Sequence, residues 1–207
     1  MKLALIGATG FIGAALLGEA LERLHSVTAI CRDTGKLAPR QAMTAVQLDV
    51  LDTDGLTAVL RGHDAIIAAY NPGNKPGVRG SASILAAAEA SGVPRLLVVG
   101  GAGSLLLADG RRNVDSEFFN PDWRQSALGT ASVLDMLRSG AEIGWVMLSP
   151  ARTIEAGGKR GGYRLGHDHL LEDERHESFI TTGDYAAAML DEAERPAHHR
   201  ERFTLAY

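Results

Sequence analysis

The chain has 207 residues, 45% of them hydrophobic, and a formal net charge of −4, which suits one domain with a sizeable core. No basic cluster appears, so nucleic acid and anionic membrane surfaces are not expected as partners. The single cysteine, Cys31, excludes an internal disulfide and a cysteine metal site, and no apolar run approaches the roughly 20 residues that cross a bilayer.

Strand and helix patterns alternate along the chain. Strands are predicted at 2–6, 26–31, 45–48, 64–70, 95–100 and 142–148, and helices at 11–24, 53–61, 79–91, 122–139 and 183–194. A last strand is predicted at 202–206, after a Gly-, Arg- and His-rich segment of loops and short strands at 151–180. This predicts an α/β, Rossmann-type, doubly wound parallel sheet. We expect one domain over residues 1–207, in which residues 151–207 contribute the small substrate-side lobe.

The first strand-to-helix junction reads Gly-Ala-Thr-Gly-Phe-Ile-Gly at residues 7–13. Three glycines spaced by three at this place are typical of a dinucleotide-binding turn. The backbone there approaches the pyrophosphate, and the helix N-terminus presents free N–H groups to it. The alternative is a glycine-rich turn without a ligand. The predicted cofactor contacts here are Gly7, Thr9, Gly10, Phe11, Ile12 and Gly13.

The end of the second strand bears on the choice of cofactor. An acid about 20 residues past the glycines would hold the adenosine ribose of NAD(H), but Cys31 and Arg32 occupy that position. An arginine attracts a 2′-phosphate and can bind it bidentately, with Lys36 as a possible helper, which favours NADP(H). Asp33 keeps NAD(H) possible, and a solvated Arg32 without a ligand is the alternative.

Ligands of open α/β sheets lie beyond the carboxyl ends of the strands, so the other strand ends, at residues 69–71, 100–104 and 149–151, supply further candidates. Asp49 is predicted to meet the adenine amino group or to cap a turn, and Ser149 with Pro150 to border the nicotinamide carboxamide. Ser104 follows a Gly-Gly-Ala-Gly turn and is a candidate catalytic residue, predicted to face the nicotinamide or, alternatively, to cap that turn. The cofactor candidates at these ends are Asp49, Val50, Ala69, Tyr70, Gly100, Ser149, Pro150 and Ala151.

These motifs resemble those of the atypical short-chain dehydrogenase/reductase superfamily, in its NmrA-like branch. That branch includes proteins named NADH-flavin reductases and relatives of biliverdin reductase B. The resemblance covers nearly the whole chain and implies an NAD(P)-binding Rossmann fold, with a flavin as a possible substrate. Besides the glycine motif it rests on residues 27–32, 95–102, 149–151, 162–166, 168–171 and 184–186.

One feature departs from this superfamily. Most catalytic members carry Tyr-x-x-x-Lys, in which the lysine lowers the pKa of the tyrosine. Here the lysines stand only at 2, 36, 75 and 159, and none follows a tyrosine at that spacing. The helix predicted at 122–139 offers Trp123, Arg124 and Ser132 instead. Alcohol dehydrogenase chemistry is therefore not expected, whereas hydride transfer to a flavin needs stacking and proximity more than a dedicated acid.

The C-terminal segment adds weaker candidates. His167 and His169 have no third ligand nearby in sequence, so no metal site is predicted. Tyr163 is a candidate catalytic residue, and Tyr163, His167 and Trp123 are candidate substrate contacts; the alternative is a structural hairpin. Residues 181–184 resemble a capping box at a helix start.

The leading hypothesis is an NADP(H)-dependent reductase of a flavin, quinone or similar planar small-molecule acceptor. We expect it to be cytoplasmic and a monomer or homodimer, and NAD(H) remains a possible cofactor. A non-catalytic NADP(H)-binding redox sensor of the NmrA-like kind is the alternative, favoured by the missing Tyr/Lys pair. An epimerase-like enzyme ranks third, because it would normally need that pair.

Overall fold

The computed structural model describes residues 1–207 and confirms the predicted α/β fold class. The helices are α1 (Phe11–Glu22), α2 (Thr53–Leu60), α3 (Val78–Ser91), α4 (Arg124–Gly140) and α5 (Thr182–Glu194). None of them combines the length and the apolar character that a membrane span requires. The strands are β1 (Lys2–Ile6), β2 (Ser26–Cys31), β3 (Met43–Gln47), β4 (Ala65–Ala68), β5 (Arg95–Val99), β6 (Gly144–Ser149), β7 (Thr153–Glu155), β8 (Arg164–Gly166), β9 (Phe179–Thr181) and β10 (Glu201–Ala206).

The main sheet has eight strands in the order β3-β2-β1-β4-β5-β6-β10-β8. All neighbours pair in parallel except β8, which is antiparallel to β10. The chain builds outward from β1 to β3 and then crosses to β4 on the other side of β1. The connections therefore diverge between β1 and β4, and in such sheets the crevice beyond the carboxyl ends at this point binds ligands.

Apolar cores of similar size cover both faces of the sheet, 24 buried residues on the α1 and α5 side and 21 on the side of α2, α3 and α4. This explains why the strands are apolar throughout rather than alternating. Tyr185 is fully buried in the first core, where its hydroxyl donates to the Leu148 carbonyl at 2.7 Å. Trp145 is buried in the second core.

Several element boundaries differ from prediction. β4 ends at Ala68 rather than at residue 70, because the chain leaves the sheet there to pass the glycine turn. α4 continues through Gly140 instead of stopping before it, and a 3₁₀ turn at Pro121–Trp123 precedes it. In the segment 151–180, β7 and β9 form a small parallel sheet of their own, whereas β8 extends the main sheet.

A buried carboxylate joins three elements at the amino edge of the sheet. Glu192 of α5 lies 2.7 Å from the Arg95 guanidinium and 2.8 Å from Nδ1 of His198, and backbone N–H groups of Ala197 and His198 donate to it. Burial by itself would raise the pKa of Glu192, but these hydrogen bonds outweigh burial and lower that pKa below its usual value. Glu192 therefore favours the folded state in its ionised form.

We expect this carboxylate to contribute to acid sensitivity. Its stabilisation is present above the unfolded glutamate pKa of about 4.3 and is lost as pH falls through the lower folded pKa. Glu192→Gln should lower the melting temperature at neutral pH and flatten its decline towards about pH 3. Thermal melts across this range test the expectation. Glu174→Gln, at an exposed position, is the matched control. If the melting temperature of Glu192→Gln depends on pH as that of the wild type does, the proposed contribution of Glu192 is wrong.

Candidate cofactor-binding site

The glycine turn between β1 and α1 lies where the connections diverge. A Cβ at Gly7, whose φ is 84°, would lie 2.5 Å from the carbonyl oxygen of Ala69, and one at Gly13 would lie 2.0 Å from the carbonyl oxygen of Gly7. The backbone of the turn therefore lies directly against the backbone that follows β4. The first turn of α1 lies directly against the backbone of the glycine turn. A Cβ at Gly10 meets only one protein atom, the Gly7 oxygen at 3.3 Å.

The start of α1 offers uncapped N–H groups. Gly10 is the N-cap residue and supplies no side-chain hydrogen bond, while Phe11 and Ile12 in the first turn line the adjacent cleft. Thr9 is exposed beside them. Free N–H groups and the positive end of the helix dipole bind phosphate, and the bare Gly10 leaves room for it. These residues fit the pyrophosphate of a dinucleotide.

A cleft of about 640 Å³ opens beyond this turn. It is bounded by the loops that follow β4, β5 and β6 and by the first turns of α4 with the residues before it. Of the predicted site residues, the structure brings together here Gly10, Phe11, Ile12, Ala69, Tyr70, Gly100, Trp123, Pro150 and Ala151.

Sequence reasoning missed several polar and aromatic residues that line the same cleft. The most prominent are Phe119, Gln125, Ser126 and Arg152. Arg152 directly follows the strand-end residues 149–151, so extending that list by one residue would have found it; Asn71, within the strand end 69–71, lines the cleft as well. Phe119, Gln125 and Ser126 lie before or within α4, and only packing brings them to the cleft.

The two charged residues that follow β2, Arg32 and Asp33, differ in their contacts. Asp33 accepts a hydrogen bond from the Gly35 N–H at 3.0 Å and lies 4.0 Å from the Lys36 ammonium, so its carboxylate serves its own 3₁₀ turn. Arg32 is exposed and forms no hydrogen bond or ion pair. It lies near enough to Tyr70 to oppose the rise that burial causes in the pKa of that phenol.

Of the two residues predicted after β3, Asp49 lies in a turn and Val50 lies in the core. The Asp49 carboxylate accepts from the Leu51 N–H at 2.9 Å, as the turn-capping alternative requires, and its side chain is exposed. The Val50 side chain is buried in the second core, and its carbonyl accepts from the Ser83 hydroxyl at 2.5 Å. The adenine contact of Asp49 stays a prediction.

Two serines do not take the places predicted for them. The Ser104 hydroxyl accepts a hydrogen bond from the Arg202 guanidinium at 3.3 Å and does not line the cleft. Arg202 is buried with its charge and needs acceptors, so it draws Ser104 towards β10. Ser149 is fully buried, and its hydroxyl has no partner in the protein. Pro150 and Ala151, not the Ser149 side chain, form this border of the cleft.

The two C-terminal substrate candidates, Tyr163 and His167, do not line the cleft. Tyr163 packs on the core beneath α1 and α5, where burial, followed by the charges of Asp191 and Asp184, raises its pKa. His167 is exposed beside Glu201, at the amino end of β10 and therefore at the opposite edge of the sheet. Neither side chain lines this cleft, so the structure gives no support to the substrate contacts predicted for both residues or to the catalytic role predicted for Tyr163.

The other predictions for this region have mixed outcomes. Asp168 forms ion pairs with Arg202 and Arg138, so the segment after β8 is tied down structurally. Thr181 caps α5 by accepting from the Asp184 N–H at 3.2 Å, as the capping pattern predicted. The Asp184 carboxylate does not complete a capping box, because it accepts from Tyr207 and from the N–H groups of residues 160 and 161.

The cleft is poor in groups that could transfer a proton. Its ionisable side chains are Tyr70, Asp122 and Arg152, and no lysine lines it. The Tyr70 hydroxyl donates to the Gly77 carbonyl at 3.0 Å, and burial raises its pKa despite Arg32. Arg152 forms an ion pair of 2.6 Å with Glu172. The structure therefore provides no substitute for the missing Tyr/Lys pair.

Residues 7–196 match the family of NAD(P)H-binding domains. The chain belongs to this family. This confirms the prediction of a nicotinamide cofactor.

Similar proteins span the full length of this NAD(P)H-binding protein. An uncharacterized Bacillus subtilis (strain 168) protein, YwnB, is 36% identical over 99% of this chain and 98% of its own. A Bacteroides thetaiotaomicron structure provisionally named an epimerase is 40% identical, with a TM-score of 0.95 over 100% of this chain and 96% of that one. A Streptococcus pneumoniae TIGR4 structure provisionally named an NADH-flavin reductase is 33% identical. Its TM-score is 0.82, and the match covers 100% of this chain and 99% of that one.

Proposed function

We propose that the protein transfers a hydride from NADPH to a neutral, planar acceptor such as a quinone or a flavin. The observation that carries the proposal is the cleft beyond the glycine turn, which has aromatic walls and no acid–base pair. Phe119 and Trp123 line it, and Trp123 is 52% exposed, so an aromatic face is available for stacking. The similar Streptococcus pneumoniae protein carries a name of the same class.

The chain's own residues would hold the reactants in place. The N–H groups at the start of α1 bind the pyrophosphate, Arg32 binds the 2′-phosphate, and Pro150 with Ala151 borders the nicotinamide. Bound NADPH supplies the hydride. Trp123 and Phe119 stack on the acceptor, and proximity rather than acid catalysis lowers the barrier. Water supplies the proton that completes the reduction.

The purified protein should oxidise NADPH slowly but measurably with menadione or riboflavin, and should not oxidise simple secondary alcohols with NADP⁺. Alcohol oxidation lacks the general base that is worth about 10²–10⁴-fold. Absorbance of NADPH measures both reactions. Ser104→Ala, whose hydroxyl faces Arg202, is a matched control that should leave the rate unchanged. Robust alcohol oxidation would contradict the proposal and require an acid–base group, for which Asp122 is the first to test.

A redox sensor is the second candidate, because the absence of a proton donor suits binding without turnover. Phe118, next to the cleft-lining Phe119, is 91% exposed and could contact a partner protein. Tight NADPH binding with no turnover of any acceptor would favour this candidate. An epimerase-like activity is the third candidate, and the Bacteroides relative carries a name of that class. The missing Tyr/Lys pair argues against it. A cytoplasmic location and a monomeric or homodimeric state belong to the proposal as well.

A further inference from the structure

The amide of Asn71 is held in one orientation at the wall of the cleft. Its Oδ1 accepts hydrogen bonds from the Gly73 N–H and from the Ser126 hydroxyl, each at 2.8 Å. A backbone N–H can only donate, so the atom facing Gly73 must be the oxygen, and this decides which end of the amide is which. The Nδ2 group therefore keeps both of its donors without a partner in the protein.

The loop that carries Asn71 is packed backbone to backbone on α4. A Cβ at Gly73 would lie 2.6 Å from the Cα of Ser126, and a Cβ at Gly129 would lie 3.1 Å from the carbonyl carbon of Pro72. Side chains at either glycine would push the loop away from the helix. The close contact fixes the position of Asn71 relative to the cleft and lowers the cost of using its amide as a donor.

The residues around the Asn71 amide indicate which class of acceptor it would bind. Trp123 and Phe119 line the same cleft as Asn71, and Ser126 of the adjoining helix α4 is hydrogen-bonded to the Asn71 amide. The charged side chains of the cleft are Asp122 and Arg152, and Arg152 is neutralised by Glu172. Such a site suits an uncharged ring that bears a carbonyl oxygen.

We propose that Asn71 donates a hydrogen bond from Nδ2 to a carbonyl oxygen of the acceptor, and that Ser126 positions Asn71. This inference rests on the proposed function. With a quinone, the C–H bond of the reduced nicotinamide breaks and its hydride, two electrons and one proton, passes to the quinone. The nicotinamide is oxidised, and the quinone becomes a hydroquinone monoanion with its charge on oxygen. Asn71 stabilises that charge, and water then supplies the second proton.

Asn71→Asp tests the donor, because it keeps an oxygen for Gly73 and Ser126 and removes the NH₂ group. We expect kcat/KM for menadione to fall by roughly 100-fold, the usual loss for one donor to a developing oxyanion. Binding of menadione to the NADP⁺-bound protein, measured by calorimetry, should weaken as well. The NADPH affinity should stay as in the wild type, since the change is on the acceptor side.

Ser126 provides a second, independent variant. Ser126→Ala should reduce kcat/KM for menadione less than Asn71→Asp does, and Ser126→Thr should restore it because the hydroxyl is kept. Ser132→Ala is the matched control, since Ser132 is exposed on α4 and donates only to its own helix at Leu128. Rescue by threonine separates a positioning role from a merely structural one.

The possible results distinguish this inference from the function on which it rests. If the wild type neither binds nor reduces menadione or riboflavin, the proposed function fails and the inference with it. If the wild type reduces menadione and folded Asn71→Asp does so equally well, the inference alone is overturned. If Asn71→Asp does not fold, Ser126→Ala decides, and unchanged binding and turnover in that variant overturn the inference.

Discussion

Gly10→Val is expected to weaken NADPH binding by at least about 100-fold, equivalent to roughly 3 kcal/mol, because its side chain would occupy the space of the pyrophosphate. Within the protein the new Cβ makes one tight contact, with the Gly7 oxygen at 3.3 Å, which a shift of a few tenths of an ångström would relieve. The melting temperature without cofactor should therefore fall much less than the NADPH affinity does. Calorimetric titration with NADPH and thermal melts of the free protein measure the two effects separately.

Gly13→Ala is the matched comparison at the same turn. Its Cβ would lie 2.0 Å from the Gly7 oxygen, a backbone atom that cannot move aside without separating α1 from the turn. This variant should lose much more stability than Gly10→Val before cofactor is added. A folded Gly10→Val protein with undiminished NADPH affinity would refute the phosphate-binding role of the turn.

Arg32→Ala should remove most of a preference for NADPH over NADH. One charge-assisted contact to the 2′-phosphate is worth roughly 1.5–3 kcal/mol, or about 10- to 150-fold in affinity. NADH affinity should stay nearly unchanged, because NADH lacks that phosphate. Titration of wild type and variant with both cofactors gives the ratio directly.

The control for Arg32→Ala is Arg61→Ala, which removes the same charge from an exposed site before β4, at the opposite edge of the sheet. If the wild type binds both cofactors equally, or if the preference survives in Arg32→Ala, Arg32 has another role. Asp33 would then be the residue to substitute next, although its carboxylate serves the Gly35 N–H in the free protein.

The fold and the phosphate-binding turn could be predicted because their causes are local. Apolar strands alternating with helices require a sheet covered on both faces, and the two cores of similar size meet that requirement. Gly13 is needed because the start of α1 passes the Gly7 backbone six residues earlier in the chain, and the spacing of the three glycines marks this turn. Constraints between residues that are close in sequence produce a recognisable pattern of glycines and apolar residues, so they can be predicted from the sequence.

The substrate side of the site depended on partners distant in sequence. Arg202 draws the Ser104 hydroxyl away from the cleft across 98 positions, and the Asn71 amide is oriented by Ser126, 55 positions further on. Ser104 thus does not line the cleft, and the strand-end position of Asn71 did not reveal how its amide is oriented. By itself the sequence determined the sheet, the phosphate-binding turn and the lack of a Tyr/Lys pair. Only the tertiary structure decided which polar side chains face the acceptor, because long-range hydrogen bonds orient them.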